Sequence, residues 1–307
     1  MDIYASNWNE DDNSNTTAAP DGAPEGMAPS GVNNVLRAHQ GAIKRWYDWS
    51  IPKTTAGSGT AYTLAYTVAP GALVDGMSFL VQFHAINGLN PTLNVNSLGA
   101  IPLTFYCGGS WSPSANGMPP YMIGADQIVR CVYHQSSGTF RCIDLGPIVR
   151  LSLSAASSFD FTGIPSNVNH LEIDFEVRPG TNNVGIQLQT YGADGVLDSG
   201  GSDYVSLGTT IKNDNSTGVG TSTSSAANLG GGANSGSSGY GGRLTAQNIQ
   251  AATWTKFQLH VTYVDQAGLL AVDGTGSAIR LEADRITGVR LSSSLGTVSG
   301  RASVRFD

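Results

Sequence analysis

The residues best placed to do chemistry in this sequence are Glu172, Asp174 and Glu176, which alternate with Leu171, Ile173, Phe175 and Val177. Successive side chains of a β-strand point to opposite faces, so the apolar set lies on one side and the three carboxylates on the other. Neighbouring carboxylates then stand roughly 7 Å apart along the strand. That separation falls within the range an inverting glycosidase uses for its acid and base. The same spacing follows from the pleat alone, and the plainer reading is a polar outer face. Arg301 and Arg305 project opposite to Ala302, Val304 and Phe306 and are natural cross-strand partners for it. A calcium site is a third use for the acids. The salt-linked face is the expectation taken forward.

Other reactive patterns do not form. A nucleophile would need an activated Ser or Cys beside a His base, and the sequence contains no Gly-x-Ser-x-Gly elbow. His39, His84, His134, His170 and His260 are scattered and make no pair at metal-ligand spacing. No phosphate loop and no dinucleotide fingerprint lies between a strand and a helix. No catalytic, metal or cofactor site is therefore expected. Cys107, Cys131 and Cys142 form neither a disulfide framework nor a zinc pattern and read as small apolar fillers. Cys131 and Cys142 fall on consecutive predicted strands, which leaves a disulfide between them open. The candidate glycan contacts are Tyr191, Tyr204, Tyr240 and Trp254, because aromatic rings stack on the apolar faces of sugars. Tyr240 is the sharpest of these, lying in a Gly-rich stretch where no core demands it, whereas Trp254 precedes a strong strand and suits a core.

The elements that would position these residues are mainly β. Only 13% of the 307 residues are charged and 39 are Gly, a composition that favours strands and turns over helices. The net charge of −7, without a basic cluster, argues against a nucleic-acid surface. Residues 1–29 form a polar, acidic arm that includes Ile3, Tyr4 and Trp8 but no Lys or Arg. Such an arm buries too little to fold alone, and its aromatics suit docking on another protein. A helix follows, predicted from Gly31 to Trp46 with Ser30 as its cap. Val32, Leu36, His39, Ile43 and Trp46 recur at heptad spacing, which suits either a seam between helices or an amphipathic helix lying on its own β-domain.

From residue 51 the period switches to two. Tyr62, Leu64, Tyr66 and Val68, then Phe79, Val81 and Phe83, alternate with small or polar residues, and Pro70-Gly71, Asp75-Gly76 and Asn87-Gly88 supply turns. This predicts a first β-domain over 51–146 and a second over 147–307, both jelly-roll-like sandwiches, preceded by the arm and the helix segment 30–50. A Gly/Ser-rich stretch, 217–242, is expected to be a surface loop, either flexible filler or functional. The start of the chain has no charged segment followed by an apolar core, so a signal peptide is not expected. No apolar run is long enough to insert in a membrane.

The segments Ser6-Asn7-Trp8-Asn9-Glu10 and Pro20-Asp21-Gly22-Ala23-Pro24-Glu25-Gly26, continuing to Asn33, resemble the start of bacteriophage tail-fibre and related virion fibre proteins. Leu93-Asn94-Val95-Asn96, with Leu98-Gly99-Ala100 before Ile101-Pro102-Leu103, is similar to the β-module that follows in such proteins. The stretch from Phe161-Thr162-Gly163-Ile164-Pro165 to the C-terminal strands resembles fibre-tip β-sandwiches. The resemblance implies a homotrimer, a virion anchor at Ile3, Tyr4 and Trp8 docking on a portal, tail or capsid protein, and a distal domain that attaches to a bacterial surface glycan or protein. It further implies a protein made in the host cytoplasm and carried in the virion, with neither catalysis nor nucleic acid involved. Two alternatives stay open: a structural adaptor, neck or head fibre or capsid decoration protein without a receptor, and a polysaccharide-degrading tailspike.

Overall fold

The computed structural model describes residues 24, 26–113, 117–181, 185–212, 217–228, 239–250, 255–264 and 271–306. The chain is mainly β, with one helix and several sheets. Helix α1 spans Pro29–Ser50. It begins earlier than the sequence suggests, because Pro29 occupies the first turn, where its fixed φ fits and its missing N–H costs nothing. Ala28 sits at the N-cap without a side-chain hydrogen bond, so Ser30 is inside the helix and not its cap. The helix stops where Ile51, preceding Pro52, turns extended.

The chain divides into two compact units. The first comprises residues 1–86, 91–104 and 124–144, and the second 87–90, 105–123 and 145–307. Residues 105–123 thus leave the predicted 51–146 domain and join the second unit. Their own strands are only two residues long, and they are fixed by side-chain bonds: Asn167 Nδ2 donates to the Cys107 carbonyl at 2.8 Å, and Asn87 Nδ2 to the Pro119 carbonyl at 2.7 Å.

In chain order the short strands are β1 (Lys53–Thr54), β2 (Ala56–Ser58), β3 (Ala61–Leu64), β4 (Ser78–Gln82), β5 (Thr92–Val95), β6 (Ala100–Thr104), β7 (Tyr106–Cys107), β8 (Ser110–Trp111), β9 (Ile128–His134) and β10 (Thr139–Cys142). All but the β7–β8 pair build one eight-stranded sheet of the first unit, ordered β1-β4-β9-β10-β6-β5-β3-β2. Its two edge strands are separated by Thr55 alone, so the sheet curls until its edges nearly meet and becomes barrel-like. Alternation drives the interior: Tyr62, Leu64, Phe79, Val81, Leu93, Val95, Val129 and Phe140 are buried. The Tyr62 and Phe83 rings meet edge to face at 4.7 Å, and the Tyr62 hydroxyl donates to the Ala85 carbonyl.

The second unit contains longer strands: β11 (Ile148–Ala156), β12 (Ser158–Thr162), β13 (His170–Pro179), β14 (Ile186–Tyr191), β15 (Tyr204–Lys212), β16 (Thr217–Ser224), β17 (Ala227–Asn228), β18 (Tyr240–Gln247), β19 (Thr255–Val264), β20 (Ala271–Arg280), β21 (Gly288–Ser293) and β22 (Val298–Phe306). They form an eight-stranded sheet, β11-β22-β13-β18-β19-β20-β15-β16, and a four-stranded sheet, β12-β21-β14-β17. Each sheet buries one face. Leu171, Ile173, Phe175, Leu244, Phe257 and Val304 supply the larger sheet's apolar side, and Phe159, Phe161, Ile186, Leu188, Val289 and Leu291 the smaller one's.

The segment expected as a loop over 217–242 is largely strand. Thr217–Ser224 pairs antiparallel with β15, Ala227–Asn228 with β14, and Tyr240–Gly242 opens β18. Residues 229–238 lie outside those described. The correction has a plain cause, since β16 is an edge strand and an edge can be made of Gly, Ser and Thr without core residues.

Candidate functional site

The outward face of the larger sheet is set by strand register. Glu172 lies opposite Arg305, Asp174 opposite Ser303 and Glu176 opposite Arg301 on β22, while on the other flank Asp174 faces Arg243 of β18. The ion pairs follow this lattice. Arg305 Nη1 lies 3.0 Å from Glu172, Arg301 Nη2 2.6 Å from Glu176, and Arg243 Nε 2.7 Å from Asp174, with a longer 3.5 Å approach to Glu172. The three carboxylates are therefore each engaged by an arginine on an open sheet face, and they do not converge on a common point as a catalytic pair would. Among the described residues no cluster of His, Cys, Asp or Glu is arranged to hold a metal ion.

The same face contains a hollow. Where Ser152 and Ser303 replace longer side chains, a trough of about 590 Å³ opens, rimmed by Arg150, Asp174, Glu176 and Arg301. A second depression of about 380 Å³ shares Ser152, Glu176 and Arg301 with it and continues along the strands past Ser299 and Gly300 to Arg178. Gly300 has φ +135°, and a Cβ there would collide with the Glu176 carbonyl, so β22 can approach β13 this closely only with glycine. Arg150 and Arg178 rim the hollow with no carboxylate partner among the described residues. The sequence reading missed both. Arg150 alternates with Val149 and Leu151 as Asp174 does with Ile173 and Phe175, so period two carries the signal, but the stretch lies immediately after the assumed domain boundary.

The candidate glycan aromatics fare differently. Tyr204 and Tyr240 are fully buried, so no sugar can stack on them. Tyr240 packs 4.9 Å from Tyr263 and belongs to β18, not to a surface loop. The Tyr204 hydroxyl accepts from the Thr190 N–H at 2.7 Å. Tyr191 is half-buried, and its hydroxyl donates to Asp160 at 2.6 Å while Arg290 donates to it at 2.8 Å. The Arg290 guanidinium also lies 5.6 Å from the ring centre, on the face a sugar would need. Burial and the Asp160 contact push the Tyr191 phenol up to about 12. Trp254 and the docking candidates Ile3, Tyr4 and Trp8 lie outside the described residues.

One buried cluster had no sequence signal. Arg280 has no exposed surface, and its Nε lies 2.6 Å from Asp198, its Nη2 2.5 Å from Asp284 and its Nη1 within hydrogen-bond reach of the Glu282 and Asp284 carbonyls. Burial would raise the Asp284 carboxyl, but the Ala193 N–H and Arg280 outweigh it and hold the group below its ordinary range. With every polar direction of Arg280 turned inward, this cluster is a clamp between segments and not an open site.

The helix seam is the other candidate. Val35, Ala42 and Trp49, at intervals of seven, are buried, and Trp49 meets Phe79 of β4 at 5.8 Å. The expected stripe stands beside them in the open: Val32, Leu36, Ile43 and Trp46 are 44–56% exposed, with Tyr47 alongside and His39 half-buried. The helix therefore packs one face on its own β-unit and leaves a second apolar face exposed. No helix among the described residues is long and apolar enough to cross a membrane. Cys107, Cys131 and Cys142 are free and buried, with Cys131 directly opposite Cys142 in the β9–β10 register.

Compared with known proteins, the chain matches no family model and no curated protein.

Proposed function

We propose that the chain is a fibre or spike subunit of a bacterial virus particle, anchored by its N-terminal arm and attaching to the host surface through its second β-unit. The observation that carries this reading is the open apolar stripe of α1. Leu36, Ile43 and Trp46 stand half in water at heptad spacing, and apolar area costs about 25 cal/mol per Å² to leave exposed. Copies gathered about a common axis would cover that area, and a homotrimer is the arrangement we favour. The likeness of residues 6–10 and 20–33 to fibre proteins supports the same reading, as does the low charge content of the chain. We read the second β-unit as a jelly-roll-like sandwich, a reading supported by the single buried face that each of its two sheets carries, whereas the first unit's single curled sheet departs from the sandwich expected of it.

The open trough favours attachment over a purely structural adaptor, which would have no use for a hollow rimmed by Arg150 and Arg178 without a carboxylate partner among the described residues. The test is the mass of the full chain in solution by light scattering. A mass of three chains is expected, and a monomer persisting at high micromolar concentration overturns the assembly on which the reading stands.

A further inference from the structure

The outer face of β11, β22, β13 and β18 is more cationic than the rest of the chain allows. Arg150, Arg178, Arg243, Arg301 and Arg305 project from it against Glu172, Asp174 and Glu176, in a protein whose net charge is −7. Arg305, Arg243 and Arg301 are matched to those carboxylates, so Arg150 and Arg178 are the surplus. They sit at opposite ends of the connected hollow. Its floor is short: Ser152 and Ser303 present hydroxyls, and Gly242 and Gly300 present only backbone.

We infer that this trough binds a segment of a carboxylate-bearing polysaccharide, a polymer of uronic-acid type on the cell surface. The inference deepens the attachment reading and rests on it. A planar carboxylate suits the fork of a free guanidinium, which engages it through two parallel hydrogen bonds. Sugar hydroxyls between the acid groups suit Asp174, Glu176 and the two serines, which accept or donate singly. The hollow runs with the strands from the Arg150–Ser303 row to the Arg178–Ser299 row. That is about 13 Å at the usual rise per residue, which favours a stretch of polymer over a single ring.

Nucleic acid fits less well. Its bases would need a ring to stack on, and the aromatic residue that lines the trough, Phe175, is buried and offers none. A neutral glycan would use the hydroxyls and carboxylates but leave Arg150 and Arg178 idle.

The experiment titrates the full-length protein with polygalacturonate, with neutral dextran of similar length and with a DNA duplex, at low and at high salt. Polygalacturonate binding that weakens with salt, with little binding of dextran or duplex, is expected. The Arg150→Ala/Arg178→Ala double variant should lose about tenfold or more in affinity, because each arginine makes a charge-assisted contact. Both residues are exposed and make no ion pair among the described residues, so folding should be unaffected. Ser303→Phe, which fills the floor without changing charge, should lose binding as well, and Arg37→Ala on α1 should not. Equal binding of dextran, equal or tighter binding of the duplex, or full binding by the double variant or by Ser303→Phe overturns the inference. So does a double variant that coats bacterial cells as well as the parent protein, and that last result leaves the attachment reading standing while removing this one.

Discussion

Trp46 and Trp49 stand three residues apart on the same helix and meet opposite surroundings, Trp46 47% exposed and Trp49 1% exposed against Phe79. One face packs on the β-unit and the other is the face through which we propose that copies assemble, and the two can be tested separately. Trp49→Ala should destabilise the first β-unit by about 3–5 kcal/mol, the usual loss for deleting a buried aromatic. Trp46→Ala, or Leu36→Lys with Ile43→Lys, should leave unfolding of a dilute sample within about 0.5 kcal/mol of the parent. The same variants should lower the solution mass. Denaturant unfolding together with light scattering reads both effects, and a Trp46 variant that unfolds early but still assembles would reverse the assignment of the two faces.

The Arg280 cluster predicts an inverted acid response. In the parent protein, hydrogen bonds and Arg280 hold the Asp284 carboxyl below its unfolded value, so its contribution is present at neutral pH and is lost as pH falls through about 4 and below. Arg280→Met leaves Asp198 and Asp284 facing each other without their cation. A loss of about 3–5 kcal/mol at pH 7 is expected for breaking a buried pair from one side. Because the burial of Asp284 is then no longer offset by the guanidinium, the variant should gain stability on mild acidification where the parent loses it. Thermal unfolding at a series of pH values between 3 and 7 distinguishes the two slopes.

Alkaline pH tests a different set of groups. Burial pushes the Tyr62 and Tyr204 phenols up to about 12, against 10 in the unfolded chain. The folded state keeps these protons longer than the unfolded state does. Their contribution is therefore complete below about pH 10 and disappears as pH rises through about 12. For the fully buried Tyr204 this amounts to about 2–3 kcal/mol. Melting temperature should drop across that window, with late-titrating phenols visible in the ultraviolet. Tyr204→Phe should flatten the drop, although it gives up the bond from Thr190 at neutral pH.

How much of this was legible depends on which physical signal each residue carried. β13 was readable because Leu171 to Val177 alternate without a break, and the same alternation at Arg301 and Arg305 pointed to their partners before any register was known. The helix was readable from its apolar spacing, though the face formed by Val35, Ala42 and Trp49 was hidden among the small and polar residues around it. β16 was not readable, because an edge strand of Gly, Ser and Thr has the composition of a loop and only pairing with β15 distinguishes the two. Tyr240 was misplaced for the same reason, its neighbours being glycines on both sides. The trough depended on Ser152 and Ser303, which lie far apart in sequence and are conspicuous only as missing bulk once β11 and β22 are side by side.

Gly300 ties that trough to backbone geometry. Its φ of +135° lies outside what side-chain-bearing residues readily adopt, and a Cβ would run into the Glu176 carbonyl and the Val177 backbone of β13. Gly300→Ala must therefore either strain the backbone or push β22 away from β13, and a cost of about 1–3 kcal/mol is expected. Pushing the strands apart would also disturb the neighbouring Arg301–Glu176 pair. That pair is exposed, so its own loss is worth less than about 1 kcal/mol, and Glu176→Gln serves as the comparison. The outcome that supports this account is a Gly300→Ala protein clearly less stable than Glu176→Gln in denaturant. If the two variants are equally mild, β22 has room to move, and the close approach is not what shapes the floor of the hollow.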